Sequence, residues 1–166
     1  MFGGVGMVVN NDDDLRIYLD LRLKEAFKNA LDKMVEVLKD IIDRKVYSAY
    51  QPTFYNRTYQ LREAWGKEVL NVRMCEFKGT INHLSDLITF EGIPFFEHGS
   101  YISAQDWLGD DNAIPYIVDS GNIGDAFNFP QLGARQFWEE FKQYFSDNFI
   151  NVLKEEIEHQ GLTVIG

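Results

Sequence analysis

One cysteine and two histidines are the residues of this chain that could form a catalytic nucleophile and its base. Cys75 could pair with His83 or His98, because an imidazole that removes the thiol proton activates the sulfur. However, Cys75 lies in a strand-like run and lacks the local signature of a catalytic cysteine. A small buried hydrophobic role is more typical of such a residue. A hydrolase is therefore the weakest of the functions that the sequence leaves open.

Two pairs of glutamates could act as the carboxylates of a glycoside hydrolase. These are Glu63 with Glu68 and Glu91 with Glu97. Nothing in the sequence sets the distance between the members of either pair, and solvated surface charge is the usual role of such residues. We therefore predict that the chain is not an enzyme.

Two runs of Asp and Asn, residues 10–14 and 106–112, contain enough oxygen ligands for a calcium ion. Neither run has the alternating ligand spacing and closing Glu of an EF-hand, and helix caps and turns account for such runs. The three histidines, His83, His98 and His159, are too scattered to indicate a zinc site. We predict no metal and no cofactor, and leave open an ion at the Asp-rich runs.

Four of the eight tyrosines lie between Val46 and Trp65, in a stretch that Pro52 interrupts. Tyrosine and arginine dominate interface hot spots, so this stretch predicts a protein-binding surface. The same residue types could stack on single-stranded nucleic acid, but a net charge of −10 opposes binding to a phosphate backbone. The predicted interface residues of this stretch are Tyr47, Tyr50, Tyr55, Arg57, Tyr59 and Arg62.

The length of 166 residues suits a single domain, residues 1–166, in which we expect residues 1–13 to be a flexible tail. A composition of 45% hydrophobic residues is that of a folded protein. No apolar run approaches the roughly 20 residues that a membrane span needs, and the N-terminus lacks the features of a signal peptide. We therefore expect a protein that is made and kept in a cytoplasm and contacts no membrane.

The first half of the chain is dominated by a helical pattern over residues 23–48, which would be roughly 38 Å long. Before it, residues 15–23 alternate apolar and polar side chains and predict a strand, although helical spacing fits them as well. Residues 69–77 and 84–90 predict two antiparallel strands joined through a connection that contains Gly79.

The second half is expected to begin with a long loop, residues 92–112, whose Trp107 could be buried at a partner surface. A short helix would follow at residues 114–119. The pattern then predicts a final helix over residues 134–160, stopped by Gly161, which leaves residues 162–165 free to add an edge strand. The apolar face of that helix is wide, so it would pack on its own sheet and on a neighbouring subunit, or else lie wholly within the domain. Together the elements predict an α+β domain with two long helices packed on one face of a small, mainly antiparallel sheet.

The Tyr-rich stretch follows the pattern V-Y-x-x-Y-x-P-x-x-Y-x-R-T-x-x-L after a helix, and residues 114–121 read IPYIVDSG before Ala134-Arg-Gln-Phe137. These motifs resemble the tail-completion, or head–tail joining, proteins of the neck of long-tailed bacteriophages. In that family a Y-x-x-x-V-E-x-G-T element precedes a helix that starts A-R-P-F. Here Asp119 stands for the usual Glu, Asn122 for Thr and Gln136 for Pro.

The resemblance implies a structural virion protein located in the neck and made in the host cytoplasm. Copies would form a homo-oligomeric ring that contacts the portal or head-side connector protein and the tail tube or tail terminator protein. DNA would pass through the ring as non-specific cargo. The resemblance adds Arg135 and Phe137, which would anchor the final helix, to the interface residues. The alternative from another class is a small acidic inhibitor or immunity-type protein that binds one enzyme.

Overall fold

A computed structural model describes residues 10–49, 59–73, 76–84, 87, 89–90, 102–103, 118 and 134–165 of the chain. Within them, two long helices pack against an antiparallel hairpin, which confirms the predicted α+β fold class. The predicted loop at residues 92–112 and the short helix at residues 114–119 lie outside the described residues, apart from two strand residues and the helical Val118. Four predicted interface residues also lie outside them, namely Tyr50, Tyr55, Arg57 and Trp107.

Helix α1 spans Asp12–Ile42, 31 residues or about 46 Å. It begins after Asn11, whose side chain accepts a hydrogen bond of 2.8 Å from the backbone N–H of Asp14, and three aspartates in the first turn complement the positive end of the helix dipole. The strand prediction for residues 15–23 was therefore wrong, because a strong helix start precedes a segment that fits both periods. Residues 11–13 of the predicted tail form the cap and first turn instead.

A π-helical turn, Asp43–Tyr47, continues α1 and closes with a hydrogen bond of 2.8 Å from the N–H of Ser48 to the carbonyl of Asp43. Such turns widen a helix by one residue and are frequent at functional sites. After the undescribed residues 50–58, a single helical turn, α2 (Gln60–Glu63), leads into the hairpin. The end of α1 and the start of the hairpin thus lie close together.

The hairpin consists of β1 (Trp65–Arg73) and β2 (Glu76–His83), with Trp65 opposite His83 and a bulge between Val69 and Asn71. The predicted strand boundaries were wrong, because Gly79 was interpreted as a turn residue and lies inside β2. A Cβ at Gly79 would come within 2.8 Å of Phe27 Cε1 and 2.9 Å of Leu31 Cδ1, so this glycine lets the strand approach α1 closely. A second small sheet pairs β3 (Thr89–Phe90) with β4 (Ile102–Ser103).

Helix α3 spans Phe137–His159 and ends at the predicted stop, where Gly161 has a φ of 79°. The edge strand predicted for residues 162–165 is wrong, because those residues are described without strand pairing. Helices α1 and α3 run antiparallel: Arg22 contacts Gln160 at one end, and Arg44 contacts Glu140 at the other. Among the described residues no helix is both long and apolar enough to cross a membrane.

The core lies between α1, α3 and one face of the hairpin. Most of the wide apolar face of α3 is used within the domain, and Tyr144 is its half-exposed member with 38% exposure. The fully or nearly fully buried members of the core are Ala26, Phe27, Ala30, Leu31, Met34, Val35, Leu38, Ile41, Ile42, Leu61, Ala64, Trp65, Phe137, Phe141 and Leu153.

Candidate protein interface

Three of the predicted interface residues meet at the end of the molecule where α1 stops. We call the surface formed by Arg44, Tyr47, Tyr59 and Arg62 the tyrosine end. The π-helical turn supplies Arg44 and Tyr47, whereas Arg62 lies in α2 and Tyr59 is the residue before it. Residues far apart in sequence are thereby placed on one surface.

The rings of Tyr47 and Tyr59 are in contact, with their centroids 4.7 Å apart and their planes inclined by 54°. Tyr47 is half-buried against the core, whereas Tyr59 is 47% exposed. Tyr59 also has a left-handed backbone, with φ 56°, which is uncommon for a residue other than glycine and concentrates at functional positions. Its carbonyl accepts the backbone N–H of Arg62 at 3.1 Å, which fixes the start of α2. Tyr59 is therefore an aromatic side chain held in place and available to a partner.

Arg62 connects α2 to the π-helical turn. Its Nε lies 2.9 Å from Asp43 Oδ2, and its terminal nitrogen donates a 3.0 Å hydrogen bond to Glu63 Oε1. Lys39 approaches the same Glu63 at 3.5 Å. Both sides of the Arg62–Asp43 pair are about one-third exposed, so the pair positions the chain more than it stabilises the fold.

Glu140 connects the tyrosine end to α3. It accepts hydrogen bonds from Arg44 at 2.7 Å and Lys45 at 2.8 Å. The hydrogen bonds from Lys45 and Arg44 hold the pKa of Glu140 below its ordinary value, so this carboxylate is charged at neutral pH. The sequence did not indicate Arg44, Lys45 or Glu140 as interface residues. No local sequence pattern links them, because Arg44 and Glu140 are 96 residues apart in the chain.

Tyr47 of the tyrosine end packs against an aromatic cluster of the core. The indole of Trp65 stacks on Trp138 with centroids 5.4 Å apart, and its N–H donates to the carbonyl of Leu61 at 2.8 Å. Phe137 meets Trp65 edge-on at 6.3 Å and is fully buried. In this position Phe137 anchors the start of α3, and it presents no surface to a partner.

The segment before α3 has an unusual backbone. The N–H of Arg135, which is half-buried, bonds to the carbonyl of Val118 at 3.3 Å. The next residue, Gln136, caps the helix with a φ of 50°. Proline cannot adopt that angle, so this helix start differs from the A-R-P-F start of the neck proteins that the sequence resembles.

Of the residues considered for catalysis, His83 and Glu63 belong to the described part of the chain. His83 is buried against the indole of Trp65, with centroids 5.1 Å apart, and Glu63 is engaged by Arg62 and Lys39. Cys75, His98, Glu91 and Glu97 lie outside the described residues. Among the residues that are described, no group of three His, Cys, Asp or Glu is arranged to hold a metal ion.

The profile of one protein family, YomN, matches residues 11–159 of the chain. The match runs from the cap of α1 to the last residue of α3, so it covers both helices and the hairpin. The chain belongs to the YomN family. This family is of Bacillus phage and prophage type, which indicates a phage-associated protein. No curated protein and no solved structure matches the chain.

Proposed function

We propose that this protein is a structural component of the phage neck. Copies form a ring in the virion that joins the head-side connector, or portal, to the tail tube or tail terminator protein. The observation that carries the proposal is the family match over residues 11–159, which makes the protein phage-associated, combined with the two motifs that resemble tail-completion proteins. The chain departs from the motifs of the tail-completion proteins at Gln136, where those proteins have proline.

The tyrosine end is the proposed contact surface. Tyr59 is exposed and its ring contacts Tyr47, and Arg44, on the same π-helical turn as Tyr47, is 61% exposed. An aromatic ring next to arginines, held by a packed scaffold, loses little conformational freedom when a partner covers it. The surface is therefore suited to hold a neighbouring subunit or connector protein.

The acidic composition fits a conduit for DNA. Binding to the DNA backbone gains affinity when Lys and Arg neutralise phosphates and release counterions. A protein with a net charge of −10 therefore adheres weakly to DNA. DNA would pass such a ring as non-specific cargo without being retained.

The test is a phage or prophage in which the gene is deleted. We expect filled heads and complete tails that remain separate in electron micrographs, and wild-type particles that contain the protein at their necks. Joined, infectious particles without the protein would overturn the proposal. A monomer that blocks one purified enzyme would instead support the inhibitor alternative.

The contribution of the tyrosine end is tested by complementing that deletion with Tyr59→Ala. Leu70→Ala is the matched control, because Leu70 lies on the hairpin and is equally exposed, at 47%. We expect Tyr59→Ala to reduce incorporation into particles and Leu70→Ala to leave it unchanged, with both proteins folded. Equal incorporation of the two variants would remove Tyr59 from the interface.

A further inference from the structure

The first three turns of α1 extend beyond the end of α3. Arg22 reaches Gln160, the cap at the end of α3, at 3.4 Å, and the first buried residue of α1 is Ala26. We call residues 12–25 of α1 the arm. Two large apolar side chains on the arm are more than half exposed, Ile17 at 53% and Leu21 at 60%. The arm is therefore an amphipathic helix whose apolar residues are not used by the described core.

Four residues of the arm follow one another at spacings of three, four and three, which places them on one face of the helix. They are Asp14, Ile17, Leu21 and Lys24, and we call them the stripe. Two apolar residues lie at its centre, an acid at one end and a base at the other. Lys24 is exposed and makes no ion pair with the described residues. Among the described residues, Asp14 accepts the backbone N–H of Asn10 at 3.1 Å through Oδ2, and its Oδ1 has no partner there.

The stripe is complementary to a reversed copy of itself. When two such helices run antiparallel, Ile17 faces Leu21 of the partner subunit, and Asp14 faces Lys24 of the partner subunit. In a parallel pair, Asp14 would face the same aspartate, and Lys24 the same lysine. Like charges in those positions oppose association, so the charges select the antiparallel arrangement. Glu25, which flanks the stripe, is compensated within its own chain by Lys28 at 3.6 Å.

We propose that the arm is a docking surface for a second copy of this chain, with two arms packed antiparallel about a twofold axis. Such a contact is isologous and closes on itself as a dimer. It does not build a ring, so it is separate from the contacts proposed at the tyrosine end and does not depend on the neck function. The dimer would be a state of the free protein, or would pair two larger assemblies through their arms.

The size of the surface predicts a weak dimer. The stripe is about 17 Å long and a helix is about 10 Å wide, so the buried area falls below the roughly 1,200 Å² of stable complexes. The association must therefore be measured at high protein concentration and at several salt concentrations, because salt screens both the two attractive charge pairs and the repulsion between two copies of net charge −10.

The first experiment is analytical ultracentrifugation of two charge variants, alone and mixed. Asp14→Lys alone places lysine against lysine, and Lys24→Glu alone places acid against acid, so each should raise the dimer dissociation constant about tenfold or more. In an equimolar mixture both contacts become attractive between unlike copies. We expect the mixture to dimerise about as well as the wild type, within roughly threefold. A mixture that stays monomeric under conditions where the wild type dimerises would overturn the antiparallel register.

The second experiment compares Leu21→Asp with Ile150→Asp. Both side chains are isoleucine or leucine, both lie on a long helix, and both are 60% exposed. We expect Leu21→Asp to abolish the dimer and Ile150→Asp to leave it intact, with the melting temperatures of both close to that of the wild type. A wild type that remains monomeric at millimolar concentration, or a dimer that resists Leu21→Asp, would overturn the proposal. Neither result bears on whether particles need the protein at the neck.

Discussion

Lys33 on α1 and Glu156 on α3 form an ion pair with 2.7 Å between the ammonium and the carboxylate. The side chain of Glu156 is only 6% exposed, whereas that of Lys33 is 46% exposed. His159 contacts the same carboxylate at 3.3 Å through Nδ1. The acid thus depends on its partners for hydrogen bonds that water would otherwise supply, and the pair joins the two long helices.

The Lys33–Glu156 pair predicts a dependence of stability on pH. The hydrogen bond that Lys33 donates to Glu156, opposed by burial, lowers the pKa of Glu156, and the same hydrogen bond raises the pKa of Lys33. The contribution of Glu156 is therefore complete above its unfolded pKa of about 4.3 and is lost as the pH falls through the lower folded pKa. The contribution of Lys33 is complete below about pH 10.4 and is lost as the pH rises further.

We expect Glu156→Gln to lower the free energy of unfolding by about 1–2 kcal/mol at pH 7, and by progressively less as the pH falls through the lowered pKa of Glu156, because the wild-type acid then becomes neutral. Urea unfolding at pH 7 and at a series of more acidic pH values measures this. Glu155→Gln is the control, because Glu155 is 65% exposed and 3.9 Å from the same lysine, and should change stability little. Equal losses for the two variants would contradict the role given to Glu156.

Gly79→Ala tests the close approach of β2 to α1. The added Cβ would lie 2.9 Å from the backbone oxygen of Glu68 as well as against two core side chains, so we expect a loss of about 1–3 kcal/mol. Gly66→Ala in β1 is the control. The three atoms nearest to its Cβ all belong to the side chain of Leu84, the first at 3.0 Å, and that residue is 42% exposed and its side chain can move. Thermal unfolding that ranks Gly66→Ala as the more harmful change would refute this account.

Phe137→Ala should destabilise the protein by about 3–5 kcal/mol, because it removes a fully buried ring from beneath the tyrosine end. Tyr144→Ala, on the same helix and 38% exposed, should cost far less. Denaturant unfolding of both variants measures the difference. A small loss for Phe137→Ala would mean that the ring is not part of the core, and would return it to the set of interface candidates.

Gln136 tests the left-handed start of α3. Gln136→Gly should leave stability unchanged or raise it by up to about 1 kcal/mol, since glycine adopts positive φ without strain. Gln136→Pro should be strongly destabilising, because proline fixes φ near −65°. Lys154→Gly, at an exposed interior position of α3, should cost about 1 kcal/mol and serves as the control for helix propensity. A Gln136→Pro protein as stable as the wild type would instead favour the helix start of the resembled neck family.

Three of the four members of the tyrosine end were predicted from the sequence, but Arg44 and the arrangement of the surface were not. Residue type and clustering were enough to select Tyr47, Tyr59 and Arg62 as interface candidates. The contact between the two rings and the ion pair from Arg62 to Asp43 depend on how the segment that begins at Tyr59 packs against the end of α1. No local sequence pattern predicted that Glu140 belongs to this site, because its partners, Arg44 and Lys45, lie on the π-helical turn that follows α1.

The sequence alone determined the fold class, most of the course of both long helices and the stop at Gly161, because these depend on local signals: apolar residues at helical spacing and a glycine that adopts positive φ. The tertiary structure decided the rest. It showed that Gly79 is a packing position inside a strand, that residues 15–23 are helical, and that Phe137 and Glu156 are buried. Each of these outcomes depends on which distant surface lies against the residue, and that is set only when α1, α3 and the hairpin pack together.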